Sequence, residues 1–276
     1  MKMKINSHMH SQSHDDNAKP LIEETVKQAI AKKLSHIYIT DHYPLPNQKF
    51  ENLFTEEYFK EFNRVKNKFN ADIYVGLGVE MGWNRNSEWT KRELEKHDYD
   101  YVIGSIHVIY DETGKFWMFD CPEEKYREGI KVFGGIKNFV KEYFKQMKLI
   151  IKAGLYDCVG HLDLIKIQNK TIPLFSEKDS WYNEEVLKVL DMIKKEKMCI
   201  EINSSGIRKK AKEQYPSEWI LEEIKKRNIP ITLGTDGHYP ADVDKDLDKI
   251  IDLVKKLNYG NIVIFKKRKM IKVKIS

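Results

Sequence analysis

The chain predicts a single (β/α) barrel, and two features of its sequence carry that expectation. Short β-branched runs alternate with amphipathic helical windows along its whole length, the order that produces a parallel sheet with helices outside. Nearly every one of those runs also ends in an ionisable residue. Barrel enzymes build their sites from the C-terminal ends of all their strands, whereas an open doubly wound sheet gathers ligands at one switch point.

The strand-like runs, in order, are MKIN, HIYIT, ADIYVGLGVE, YVIGSIH, LYDCVGH, MCIEIN and IPITLG, with NIVIF (261–265) a candidate eighth. They lead into His8 and His10, Asp41 and His42, Glu80, His107, His161, Asn203, and Asp236 with His238. After Pro20, the residues Ile22, Val26, Ala29, Ile30 and Leu34 recur at spacings of three and four, one apolar stripe facing a sheet. Windows 56–69, 134–153, 183–195 and 217–227 behave likewise, with Asn183 and Pro216-Ser217 where helix starts are expected. Segment 111–133 reads as a longer insertion, a loop leading into the next helix pair. No repeat, linker or low-complexity segment interrupts the pattern, so residues 1–276 are expected to form one domain.

A chain of 276 residues can bury a sizeable core. No apolar run reaches the roughly 18 to 20 residues of a membrane span, and MKMKINSH lacks the apolar stretch of a signal peptide. A cytoplasmic protein without membrane partners is expected. Cys121, Cys158 and Cys199 are odd in number, far apart and without CxxC spacing, and read as reduced thiols rather than disulfides or a thiolate metal site. The net charge of +6 comes from lysines interleaved with glutamates at helix-face spacing, a solvated surface rather than a nucleic-acid groove. The basic C-terminal FKKRKMIKVKIS alternates with apolar residues as a half-exposed strand would.

The stretch HMHSQSHDD holds three of the chain's nine histidines, and six of the nine fall at strand ends, joined by Glu80 and two aspartates. In a closed barrel these side chains converge on one rim, where crowded imidazoles and carboxylates are costly without compensating cations. A His/Asp/Glu site without cysteine suits Zn, Mn or Fe. His36 and His97 lie outside the series.

HMH after the first strand, ITDH after the second, GVE after the third, then GSIH, GHLD and GTDGH resemble, in order, the signature series of the PHP (polymerase and histidinol phosphatase) superfamily. The resemblance runs from His8 to His238. It implies a distorted (β/α)7 TIM-like barrel of the PHP type holding two to three divalent metal ions. It places His8, His10, Glu80 and Asp236 on one ion, with Glu80 bridging to a second ion completed by His107 and His161. A third would take His42, His238 and a side chain from the loop after His10. Counting along that loop favours Asp16, then Asp15 and His14, while Asp16 could equally be a helix N-cap acid.

Such clusters suit phosphoester hydrolysis by a metal-bridging hydroxide, but the same ligands serve several substrate classes. ITDHYPLP, GHLDLIK and above all EINSSGIRKKAKEQYPSEWIL resemble the histidinol-phosphatase branch. The resemblance implies a phosphoric monoester hydrolase acting on L-histidinol phosphate, with Glu80 and Arg208 as catalytic groups. Arg208, Lys166 and His42 would bind substrate. Lys166 stands where relatives carry an arginine, keeping the charge without the bidentate fork, and Arg208 could otherwise be one more basic residue of a solvated helix start. The alternatives are another phosphoesterase of the superfamily, namely a phosphodiesterase, nuclease or protein tyrosine phosphatase, and a non-enzymatic metal-binding module. The expected partner is a small phosphomonoester, not nucleic acid, and the sequence is silent on oligomeric state.

Overall fold

Seven parallel strands make the central sheet of the computed structural model, which describes residues 3–12, 18–44, 52–169 and 174–275. They are β1 (Ile5–Met9), β2 (His36–Ile39), β3 (Tyr74–Gly82), β4 (Tyr101–Ser105), β7 (Cys158–Val159), β8 (Cys199–Asn203) and β9 (Ile231–Gly234), adjacent in that order. The gap in numbering is an antiparallel excursion, β5 (Val108–Tyr110) and β6 (Phe116–Met118). Helices α1 (Ile22–Ala31), α2 (Glu56–Lys68), α3 (Ser87–Leu94), α4 (Glu123–Val132), α5 (Ile136–Ala153), α6 (Ser180–Lys195), α7 (Ser205–Arg208), α8 (Glu218–Lys226) and α9 (Leu247–Lys256) fill the crossovers. The sheet curls until its first and last strands meet: the Asp236 N–H donates to the His8 carbonyl at 2.8 Å and the His10 N–H to the Gly237 carbonyl at 2.9 Å. The result is the nearly closed seven-stranded barrel that the sequence predicts.

Strand alternation sorts the core into two layers. Ile37 and Ile39 pack outward with Ile22, Val26 and Ala29 of α1, the stripe read from the sequence. Tyr38, between them, points inward with Tyr101, Ile103, Cys158 and Cys199. The three cysteines are free thiols, as expected.

The NIVIF run departs from the expectation of an eighth barrel strand. It forms β10 (Asn261–Lys266), which turns back on β11 (Lys269–Lys274) as a separate antiparallel hairpin. Lys267 and Arg268 between them have φ of 48° and 63°, the positive values that a two-residue hairpin turn demands, so the chain reverses instead of crossing over. The hairpin plugs the N-terminal end of the barrel. Val263 and Phe265 join the inner layer, the Tyr38 hydroxyl donates to the Phe265 carbonyl at 2.6 Å and accepts from its N–H at 2.8 Å, and the Phe265 ring stacks on Tyr101 at 4.6 Å.

Other boundaries also moved. Segment 111–133 is not merely a loop but contains β6 and α4. Helix α6 starts at Ser180 rather than Asn183, and α3 and α9 occupy segments that the strand and helix assignments above do not cover. Helix α3 has a side-chain cap, the Asn86 carboxamide oxygen accepting from the Trp89 N–H at 3.0 Å, and a short polar helix of this kind gives little periodic signal. Among the described residues, no helix is long and apolar enough to cross a membrane.

Because Phe265 is buried inside the plug, Phe265→Ala is expected to lower unfolding free energy by about 3 to 5 kcal/mol, as for other buried aromatics. Denaturant titration checks this. A loss below about 1 kcal/mol would mean that the hairpin is no part of the cooperative core.

Candidate metal centre

The seam between β1 and β9 is also where the polar cluster forms. His8 and His10 are two residues apart on an extended segment and so share its inward face, while the backbone bonds across the seam bring Asp236 beside them. Asp236 has φ of 50°, an uncommon conformation that aspartate tolerates better than most residues and that is often found at functional positions. Below it the Asn6 side chain locks the two strands, donating to Thr235 Oγ1 at 2.8 Å and accepting from the His8 and Thr235 N–H groups at 3.0 and 3.2 Å.

Glu80, fully buried on β3, sits at the middle. Its Oε2 lies 2.8 Å from His42 Nδ1, 3.3 Å from His8 Nε2 and 3.5 Å from His10 Nε2. Its Oε1 lies 3.0 Å from His161 Nε2 and 3.2 Å from His107 Nε2. Asp236 Oδ1 is 3.3 Å from His10 Nε2, and the His10 ring stacks between His42 at 4.2 Å and His238 at 4.1 Å. Three overlapping groups have ligand atoms close enough to share an ion: His8, His10 and Asp236; His42, Glu80 and His107; and His10, His42 and His238.

The donor chemistry fits divalent cations. Ring nitrogens face one another at 3.2 Å in two places, His8 Nε2 to His10 Nε2 and His107 Nε2 to His161 Nε2. At most one nitrogen of each such pair can donate, and protonating both would set two cations against each other. Burial and the neighbouring His42 push His10 down to about 3, so this imidazole is neutral at ordinary pH. Burial opposes ionisation of Glu80, yet His107, His8 and His42 outweigh it and hold the carboxyl well below the usual carboxylate range. A neutral imidazole beside an ionised carboxylate in a dry site is a ligand set for a metal.

Around this set lies a layer that the sequence reading did not identify. Glu201, fully buried on β8, accepts from His8 Nδ1 at 2.7 Å, from the His161 N–H at 2.9 Å and from Asn203 Nδ2 at 3.1 Å. Burial opposes it, yet Glu201, Glu80 and Asp236 hold the His8 imidazole well above its ordinary pKa; a cation displacing the Nε2 proton would meet a lone pair already aimed at the centre, because Nδ1–H is committed to Glu201. Gly234 makes room for this carboxylate, since a Cβ there would lie 2.1 Å from Glu201 Oε1. The Ser205 hydroxyl donates to Asp236 Oδ2 at 3.1 Å. The signal that could have found Glu201 is its place in MCIEIN: an acid inside a barrel strand needs a buried partner.

Of the residues expected at the site, His8, His10, His42, Glu80, His107, His161, Asp236 and His238 converge on it. Asp16, with Asp15 and His14, lies outside the described residues. Asp41 faces the loop instead, its carboxylate accepting from the Ser11 N–H and hydroxyl at 2.6 Å each and from the Tyr58 hydroxyl at 2.7 Å. Arg208 ends α7 with Nη2 donating to the Thr235 carbonyl at 2.8 Å and Nη1 lying 3.5 Å from Asp246 Oδ2. Lys166 is placed differently from a substrate-facing cation. It is buried, and its ammonium pairs with Asp163 at 2.8 Å and Glu213 at 3.2 Å and donates to the Ser217 hydroxyl. Lys209, which the sequence reading passed over, pairs with Asp120 at 2.9 Å. His36 and His97 stay outside, against Tyr74 and Phe59 respectively.

The model of the PHP domain matches residues 6–205. A Deinococcus radiodurans protein named "Probable histidinol-phosphatase" is 31% identical, covering 90% of this chain and 91% of its own length. The histidinol-phosphatase of Lactococcus lactis is 29% identical, covering 99% and 98%. A crystal structure of histidinol phosphate phosphatase from Lactococcus lactis, complexed with Zn, L-histidinol and phosphate, superposes with a TM-score of 0.73 at 24% identity over 98% of this chain and 99% of that one. At that identity the superposition speaks for the fold.

Glu201→Gln tests the supporting layer. The substitution keeps the shape but removes the charge that fixes the His8 tautomer, and it is expected to weaken metal affinity about 10- to 100-fold. Chelator competition measures it; unchanged affinity would reduce Glu201 to a packing residue.

Proposed function

The chain belongs to the PHP domain family, in its histidinol-phosphatase branch, and from that premise we propose that it hydrolyses L-histidinol phosphate to L-histidinol and inorganic phosphate, late in histidine biosynthesis. The observation that carries this reading is the buried Glu80 carboxylate ringed by five imidazoles at the strand ends, in a chain with relatives over nearly its full length that are named histidinol-phosphatase or probable histidinol-phosphatase.

His8, His10, Glu80 and Asp236 would hold one ion and Glu80, His107 and His161 a second. His42 and His238 would hold a third, with Asp16 as the favoured loop ligand. Zn, Mn and Fe all suit these donors. Ions held there supply Lewis acidity at phosphoryl oxygens and acidify water. The protein's own part is placement. Glu80 would span two positions with one charge, while Glu201 at His8 Nδ1 and Asn203 Nδ2, donating to Asp236 Oδ2 at 3.4 Å, keep those ligands aimed inward. Asp41 pins the Ser11–Gln12 turn that follows His10. Arg208, held by the Thr235 and Lys245 carbonyls and Asp246, would offer its remaining N–H groups to the phosphoryl oxygens, and His42, more than a third exposed, lies on the open side. Water attacks phosphorus, the P–O bond to the histidinol oxygen breaks, and that oxygen is protonated.

The purified protein is expected to carry two to three equivalents of divalent metal and to release phosphate from histidinol phosphate well ahead of a nitrophenyl phosphodiester or single-stranded DNA. Elemental analysis below one equivalent in well-folded, undialysed protein, or faster diester cleavage, would overturn the reading. Glu80→Gln should lower metal content at two positions together. Arg208→Ala is expected to cost about 2 to 4 kcal/mol in kcat/KM with metal content unchanged, as for other preorganised charge stabilisers. Wild-type kinetics in that variant would make Arg208 a brace for the loop of Asp246.

A further inference from the structure

Lys209 and Asp120 pair at 2.9 Å from two segments that adjoin the centre. Lys209 follows α7 in extended backbone, with φ of −85° and ψ of −172°. Asp120 lies between β6 and α4 on the excursion, where the neighbouring Phe119 N–H donates to the carbonyl of His107 at 3.3 Å. The excursion is fastened here a second time, by Gln168 Nε2 donating to the Cys121 carbonyl at 2.9 Å and by Lys210 Nζ donating to Gln168 Oε1 at 3.0 Å. The pair is therefore not needed to hold the excursion down. Both partners remain open to solvent, Lys209 at 32% and Asp120 at 60% side-chain exposure, and an exposed ion pair contributes only about 0 to 1 kcal/mol to stability. The Lys209 N–H donates to the Ser205 carbonyl at 3.2 Å and the Ser205 hydroxyl donates to Asp236 Oδ2 at 3.1 Å, so the Lys209 backbone adjoins the centre, whereas the ammonium of Lys166 is engaged by Asp163 and Glu213.

We propose that Lys209 and Asp120 are a recognition pair that opens around a phosphomonoester bearing an ammonium beside the ester carbon, Lys209 turning to the phosphoryl oxygens and Asp120 taking the ammonium. This deepens the function proposed above by naming the charge pattern that its site selects. L-Histidinol phosphate carries that pattern, an ammonium on the carbon next to its phosphorylated one. Inserted between the pair, the two substrate charges replace one ion pair by two, and no charge is left alone. A monoester without the ammonium would free Asp120 beside a dianion, a repulsion that selects against it.

The test uses holoenzyme and two competitive inhibitors of p-nitrophenyl phosphate hydrolysis that differ only in the ammonium, O-phosphoethanolamine and ethyl phosphate, so it does not depend on histidinol itself. Wild type is expected to bind phosphoethanolamine more tightly. Lys209→Met should weaken both inhibitors, and inorganic phosphate measured by calorimetry, about 10- to 100-fold, the range for a charge-assisted hydrogen bond. Asp120→Asn should remove the preference by weakening phosphoethanolamine about tenfold or more while ethyl phosphate binds as well or better. The charge-swapped double variant Lys209→Asp, Asp120→Lys restores the ion pair but should recover neither affinity. Equal inhibition constants in wild type, equal effects of Asp120→Asn on both inhibitors, or recovery in the swap would make the pair a strap and overturn the proposal. Failure of wild type to hydrolyse histidinol phosphate, with the inhibitor pattern intact, would instead remove the proposed substrate and leave the recognition pair standing.

Discussion

Glu80 carries a charge where no solvent reaches it, and the five imidazoles around it cannot neutralise that charge by themselves. Protonating all of them would crowd cations at 3.2 Å separations, and leaving all neutral would turn lone pairs toward a carboxylate. Cations between these groups remove the conflict, and much of the rim is arranged to make room for them. Glu201 sets the tautomer of His8, Gly234 gives Glu201 its space, and Asp236 adopts a positive φ beside the seam. Asp41 is spent on fixing the turn beyond His10. Each of these is a cost in isolation, burial of charge or backbone strain, and each makes sense as support for a shared set of ions.

Fold and substrate choice are separable here. The parallel sheet and its ligand rim would serve many hydrolytic reactions. In the proposed reading, substrate choice falls to two segments, the stretch after β6 with Asp120 and the stretch after β8 with Arg208 and Lys209. Lys166 shows how position can mislead: it occupies the place of an expected substrate arginine, yet its shorter donor head is drawn into a buried network with Asp163, Glu213 and Ser217.

The barrel strands and the convergence of eight candidate ligands were legible because each rests on local pattern, period-two runs that end in His, Asp or Glu. The failures have physical causes. NIVIF has the composition of a barrel strand, and only the conformations of Lys267 and Arg268 turn it into a plug. Helix α4 is rich in Glu and Lys and buries little beyond Tyr126 and Gly129, so its apolar periodicity is faint. Glu201 reads as the polar member of an alternating strand, and its role depends on His8, far away in sequence. Lys209 is one of the three lysines of IRKKAK, and nothing short of the fold brings Asp120 to it.

The closure of the barrel has a further consequence. An ion held jointly by His8, His10 and Asp236 would tie the first strand of the barrel to its last, and so act as a staple across a very long loop, the kind of link that removes most chain entropy from the open state. Its loss falls on the seam before it falls on the core, because the inner layer and its hairpin plug do not depend on it. Stripping the metal should thus loosen the molecule along one line, between β1 and β9, with the amides of His10 and Asp236 exchanging with solvent while the strands opposite stay protected. The barrel would behave as a ring with a clasp, and the clasp is the candidate metal centre itself.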